Sequence, residues 1–298
     1  IAGDMFIATL LDARPDLTAG TVAAIRSAGV PEDWAVGLQP SSSGGMVGSQ
    51  MRIDPPGYME TGHRDYASIE SAINTAQLEQ SVRERALSIF SLIAQAEAEI
   101  HGLAVDDVVL HEVGAIDSVA DVVGAAYLIE QLAPVSWSVS PLPVGGGFVD
   151  TDHGRLPVPA PATQLLLDGF RFVDHGISGE RITPTGAAIL RHLEPLSRIP
   201  PGAHVSVGTG HGFGTRALPG VANLLRARCY RAAADAAVGH LVAVIEFVVD
   251  DQTPEDLATG LDILRDQAGV LEVLQIAATA KKGRVGHVIQ VLTTPVAL

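Results

Sequence analysis

Apolar residues recur at helical spacing along much of the chain. Met5 to Leu11 predicts a helix that stops before Pro15, and Thr18 to Ala28 predicts a second short one. Residues 36–62, rich in Gly, Ser and Pro, predict loops and brief strands. Ser68 to Gln77 reads as a helix. A longer one follows, carried by Val82, Ala86, Ile89, Ile93, Ala96 and Ile100, with Gly102 as its stop. Val108-Val109-Leu110 is a short buried strand that leads through His111-Glu112-Val113-Gly114-Ala115-Ile116 into a helix beginning near Asp117-Ser118. Val119, Val122, Val123, Ala126 and Ile129 make that helix apolar nearly all round, which marks it as buried. Trp137 to Val144 is strand-like and ends in Gly145-Gly146-Gly147. Pro159 and Pro161 open a helix over Thr163–Leu167, and Thr183 caps another with Pro184 in its first turn. Residues 204–230 predict strands around a glycine-rich loop, Gly208 to Gly214.

Residues 231–239 read as a linker. Beyond it the pattern is strand 241–249, helix 254–267 opened by Thr253-Pro254, strand 270–276 and strand 285–292. That β-α-β-β order is the first part of a ferredoxin-like unit, whose remaining helix and strand are truncated or supplied by another chain. The fold class is therefore α/β (mixed α+β). A larger N-terminal domain with a mixed sheet spans residues 1–230, and a partial ferredoxin-like domain spans residues 240–298. The opening Ile1-Ala2-Gly3-Asp4-Met5-Phe6 reads as the middle of a structural unit rather than a start.

Composition narrows the chemistry. Lys and Arg number 19 against 34 Asp and Glu, a net charge of −15, so there is no basic surplus for a nucleic-acid backbone. Hydrophobic residues make up 47%, which excludes disorder. No apolar run reaches the roughly 20 residues of a membrane helix. The single cysteine, Cys229, excludes an internal disulfide, a thiolate zinc site and an iron–sulfur cluster, and suits a cytoplasmic setting.

The candidate chemistry gathers in a few segments. His111 and Glu112 stand at a strand end, and Asp117 and Asp121 are i, i+4 on a helix otherwise built from Val and Ala. Buried carboxylates need a cation or several hydrogen-bond donors, so these four residues read as a metal site. Equally, Asp117 could cap the helix while Asp121 pairs with an arginine. His153, in Asp150-Thr151-Asp152-His153-Gly154, and His63, beside Arg64, are further candidate ligands. Imidazole with carboxylate suits zinc, nickel or manganese. Gly208–Gly214 lacks the Lys-Ser/Thr ending of a phosphate loop and reads as a glycine-built turn. Thr183, Thr185 and Gly186 form either an anion site at a helix start or an ordinary cap. Asp250 and Asp251, with the basic Lys281-Lys282-Gly283-Arg284, suit a nucleoside triphosphate and its cation, or alternatively a helix cap and a solvated turn.

Taken together, these stretches resemble the LarC family of nickel insertion proteins. The resemblance rests on Ile1–Phe6, Leu110–Ser118, His153–Thr163, Thr183–Ala188, Gly212-Phe213-Gly214-Thr215-Arg216, Asp250-Asp251, Thr253-Pro254-Glu255 and Lys281–Arg284. It spans essentially the whole chain. Val248 stands where the family usually has Asn, and His63 remains of a histidine cluster before Arg64. The resemblance implies a nickel chelatase of the lyase class that uses CTP, with Mn²⁺ or Mg²⁺. It would insert nickel into a pyridinium bis-thiocarboxylate mononucleotide to give the nickel-pincer cofactor. A homo-oligomer without nucleic-acid or membrane partners is expected. The competing expectations are a nickel-binding metallochaperone without turnover, and a nucleotide-dependent enzyme of another pathway on the same scaffold.

Overall fold

Helix α1 (Gly3–Ala13) buries Met5, Phe6, Ile7, Ala8, Leu10 and Leu11, leaving it almost no solvent face. Its one internal hydroxyl, Thr9 Oγ1, donates to the Met5 carbonyl at 2.6 Å, which removes the cost of an orphaned buried donor. The computed structural model to which it belongs describes residues 1–57, 64–110, 115–151, 154–218, 220–233, 242–279 and 283–294. Its contacts divide into two units, Ile1–Arg231 and Ala232–Leu298.

In the first unit α2 (Thr18–Ser27) follows α1, then strands β1 (Ala35–Ser43) and β2 (Met46–Asp54) pair as an antiparallel hairpin. These are nine-residue strands rather than the brief ones expected from Ser and Pro content. Gly44 and Gly45, with φ of 58° and 79°, supply the two left-handed residues that a tight hairpin turn requires. Ser41 to Ser43 simply extend a solvent-facing strand up to that turn. Strand β3 (Arg64–Asp65) pairs with β4 (Val109–Leu110), on either side of α3 (Tyr66–Thr75) and α4 (Gln80–His101). The stop predicted for α4 is real: Gly102 takes φ 64°. Helix α5 (Ile116–Leu132) buries ten of its residues, as its apolar pattern requires.

Strand β5 (Leu142–Val144) is much shorter than the expected 137–144. Pro141 and Pro143 remove two backbone donors from that run, so only single contacts form upstream, between Trp137–Val139 and Leu196. Then come β6 (Phe148–Thr151), β7 (Gly154–Pro157), α6 (Pro161–Leu166), β8 (Phe172–Asp174), α7 (Pro184–Leu193), β9 (His204–Phe213) and β10 (Leu224–Ala232). The main sheet has the order β1-β2-β9-β10, with β2 and β9 parallel.

Strand β9 corrects the sequence reading. Gly208, Gly210 and Gly212 form no turn; they lie within a ten-residue strand. A Cβ on Gly210 would fall 2.7 Å from the Ala13 backbone nitrogen. One on Gly212 would fall 2.6 Å from that of Thr9. The glycines let α1 lie directly on the sheet.

Helix α7 begins as predicted, with Thr183 Oγ1 accepting from the Gly186 N–H at 3.2 Å and Pro184 in the first turn. Thr183→Ala should cost about 1 kcal/mol, measured as a lower urea midpoint with unchanged slope.

The second unit contains β11 (Ala243–Val249), α8 (Pro254–Arg265), β12 (Val270–Thr279) and β13 (Val285–Thr293). The sheet order is β11-β13-β12, with β13 antiparallel to both neighbours, a split β-α-β arrangement. Leu257 and Leu261 of α8 pack in a small core with Val273, Ile289 and Val291. Among the described residues no helix is long and apolar enough to cross a membrane.

Candidate functional site

Three helix starts meet in the first unit. The Thr183 N–H donates to the Ile1 carbonyl at 3.0 Å, which ties the start of α7 to the chain entering α1. Gly186 completes that junction, because a side chain there would overlap the Ile1 carbonyl. Helix α5 enters the same place through Asp121. A Cβ on Gly3 would lie 2.6 Å from both Cβ and Oδ2 of Asp121, so only glycine allows the first turn of α1 to rest on that carboxylate.

Asp4 follows Gly3 in the first turn of α1, and Asp117 occupies the first turn of α5. The residue capping α5 is Ala115, and Asp117 Oδ1 accepts from the Ser118 N–H at 2.8 Å. Helix N-termini favour negative charge, which helps explain how carboxylates are tolerated here. They nonetheless strain against one another. Burial pushes the Asp121 carboxyl well above its usual range, and the charges of Asp4 and Asp117 push it further. Burial also raises Asp4, and Asp117 adds to the shift. Part of it is offset by the Met5 N–H, which donates to Asp4 Oδ1 at 2.7 Å. Such a cluster takes up either protons or a cation.

Asp4 is the residue that sequence reasoning missed. Its signal was a carboxylate directly after Gly3, at the head of the apolar run Met5–Ala8. His111, Glu112, His153 and His63 lie outside the described residues, although His111 and Glu112 stand in the sequence between β4 and α5. Among the described residues no three His, Cys, Asp or Glu side chains are arranged to hold a metal ion by themselves. Thr183 and Gly186 are engaged with each other in the cap, and Thr185 is buried.

In the second unit Asp250 follows β11 and Arg284 precedes β13, and the topology brings them together. Arg284 Nη1 is 3.8 Å from Asp250 Oδ2, both side chains being well exposed. An exposed pair of this kind contributes little stability, so both groups stay available to a ligand. Asp251 is exposed beside them. Lys281 and Lys282 lie outside the described residues.

The family model "Nickel insertion protein" matches residues 1–298. A "Putative nickel insertion protein" of Pelobacter propionicus is 40% identical over 286 residues, covering 96% of this chain and 71% of that protein. One of the same name from Syntrophobacter fumaroxidans is 38% identical, over 99% of this chain and 74% of that protein. The "Pyridinium-3,5-bisthiocarboxylic acid mononucleotide nickel insertion protein" of Akkermansia muciniphila is 34% identical, over 99% and 73%. No solved structure matches the chain. With the family model running from its first residue to its last, the chain belongs to the nickel insertion protein family.

Proposed function

We propose that this protein is a CTP-dependent nickel chelatase, of the lyase class, that places nickel in pyridinium-3,5-bisthiocarboxylic acid mononucleotide. The observation that carries the reading is the crowding of Asp4, Asp117 and Asp121 where α1 and α5 begin. Nickel is the substrate ion here. Carboxylate and imidazole ligands hold it loosely enough for two sulfurs to displace them. His111, Glu112, His153 and His63 are the groups that would complete the waiting shell. In the second unit Asp250 and Asp251 would hold Mn²⁺ or Mg²⁺ on the CTP phosphates, their hard oxygens suiting such ions. Lys281, Lys282 and Arg284 would offset the phosphate charge. The reaction would run in the cytoplasm, on a homo-oligomer.

The test is direct. Purified protein is incubated with the mononucleotide, Ni²⁺ and CTP with Mn²⁺, and the small molecule is followed by mass. Nickel-loaded product should accumulate over many turnovers, only with CTP, and Asp4→Ala should reduce its rate at least about tenfold. Transfer of a single equivalent without need of CTP would instead identify a nickel carrier.

A further inference from the structure

One part of the resemblance is left without a role by this reading: Gly212-Phe213-Gly214-Thr215-Arg216, which leaves β9 and enters the turn before β10. That turn is tightly built. The Gly214 N–H donates to the Asn223 carbonyl at 3.0 Å, and Asn223 Nδ2 donates to the Arg216 carbonyl at 3.0 Å. A Cβ on Gly214 would lie 2.6 Å from Asn223 Nδ2, so a side chain there would push against the Asn223 amide that closes the turn. The Arg216 guanidinium packs against Gly179. A Cβ there would stand 2.6 Å from Cζ, and Gly179 has the left-handed φ of 94°.

Beside it opens a groove of about 290 Å³. Among the residues that line it are Ser41, Ser42 and Ser43 at the end of β1, together with Thr215, Arg216 and Asn223. The chain has 34 acidic residues, yet none is among the described residues that line this groove. Nor does Arg216 have a carboxylate partner among the described residues. In a protein of net charge −15, an exposed arginine lining a groove with serine, threonine and asparagine and with no acid among its described lining residues makes a locally cationic, donor-rich surface. Guanidinium presents paired donors that match the oxygens of a phosphate, and serine and threonine hydroxyls take up the remaining acceptors. The volume is close to the lower end for small-ligand pockets, roughly 300 Å³.

We infer that this groove binds the phosphomonoester of the mononucleotide substrate, with Arg216 as the principal anion contact and the polar residues that line the groove, Thr215 among them, supplying further donors. The inference rests on the proposed mononucleotide substrate and deepens it. It gives the first unit a handle on a part of that molecule that carries no sulfur.

Nicotinic acid mononucleotide, a pyridinium ribose phosphate without sulfur, probes the site apart from nickel chemistry. Calorimetry on the whole chain should show it binding at least about tenfold more tightly than its dephosphorylated riboside. Arg216→Gln should reduce its affinity by about tenfold or more, to near that of the riboside. Arg216→Lys should recover part, since charge without the fork remains. Ni²⁺ binding should be unchanged in both variants. Equal binding of mononucleotide and riboside, or unchanged affinity in Arg216→Gln, overturns the inference. So does displacement of the probe by CTP more strongly than by inorganic phosphate, which assigns the groove to the other nucleotide. Failure of the nickel reading would show separately, as wild-type protein that binds the probe but never loads nickel.

Discussion

Gly212→Val should unfold the first unit about 6 to 12 °C below the wild type, from a loss of about 3 kcal/mol. The reason lies in what surrounds that position. An added side chain would meet the Met5 carbonyl and both the backbone and the hydroxyl of Thr9, the very groups that hydrogen-bond to each other inside α1. Backbone on both sides cannot rotate out of the way as a side chain can, so α1 must lift from β9. Gly208→Ala is the control. There the nearest atoms to an added Cβ are the Ala13 carbonyl and Cys229 Cβ, both at 3.9 Å, ordinary contact distance. That variant should stay within about 0.5 kcal/mol of the wild type. Because α1 also carries Asp4, Gly212→Val should lose nickel binding below its melting temperature. Scanning calorimetry on both variants decides it. Equal melting of the two would mean that glycine is not what sets the approach of α1.

The same strand marks where sequence reasoning stops. Helices α4, α7 and α8 were legible because each carries a 3.6-residue apolar rhythm together with a local signal at one end. Those signals are the left-handed Gly102, Thr183-Pro184 and Thr253-Pro254. Strand β9 alternates polar and apolar side chains only over His204–Val207, and beyond them three of its positions have no side chain at all. Its glycines answer to a helix nearly two hundred positions earlier, and no local pattern records that. Prolines shortened β5, and serines disguised β1, for similarly specific reasons. The site divides the same way. Asp117 and Asp121 stood out because i, i+4 carboxylates on an apolar helix violate the local pattern. Their neighbour Asp4 did not, because its proximity is created by Gly3 resting on Asp121, a tertiary contact.

Asp121→Asn should make the protein more stable and less able to take up nickel. Asparagine keeps the size of the side chain and removes the charge. In the wild type the Asp121 carboxyl is raised by burial and by the charges of Asp4 and Asp117. A raised folded-state pKa means that the native protein takes up a proton before the unfolded chain does. Above that folded pKa the native state carries the full repulsion. As pH falls through it the proton relieves the cluster, and stability rises until the unfolded chain titrates as well, near pH 4. The variant never bears that charge. Its melting temperature should therefore exceed the wild type's at about pH 8, and the gap should close as the pH approaches about 4. Nickel at neutral pH should bind at least about tenfold more weakly, because a cation relieves the same repulsion that a proton does. A variant less stable than wild type at about pH 8 would show that Asp121 is held by hydrogen bonds that outweigh the repulsion. Unchanged nickel affinity would leave the cluster a structural feature of the helix junction. Stability gained together with nickel lost is the signature of a site whose crowded charges are kept for the ion they receive.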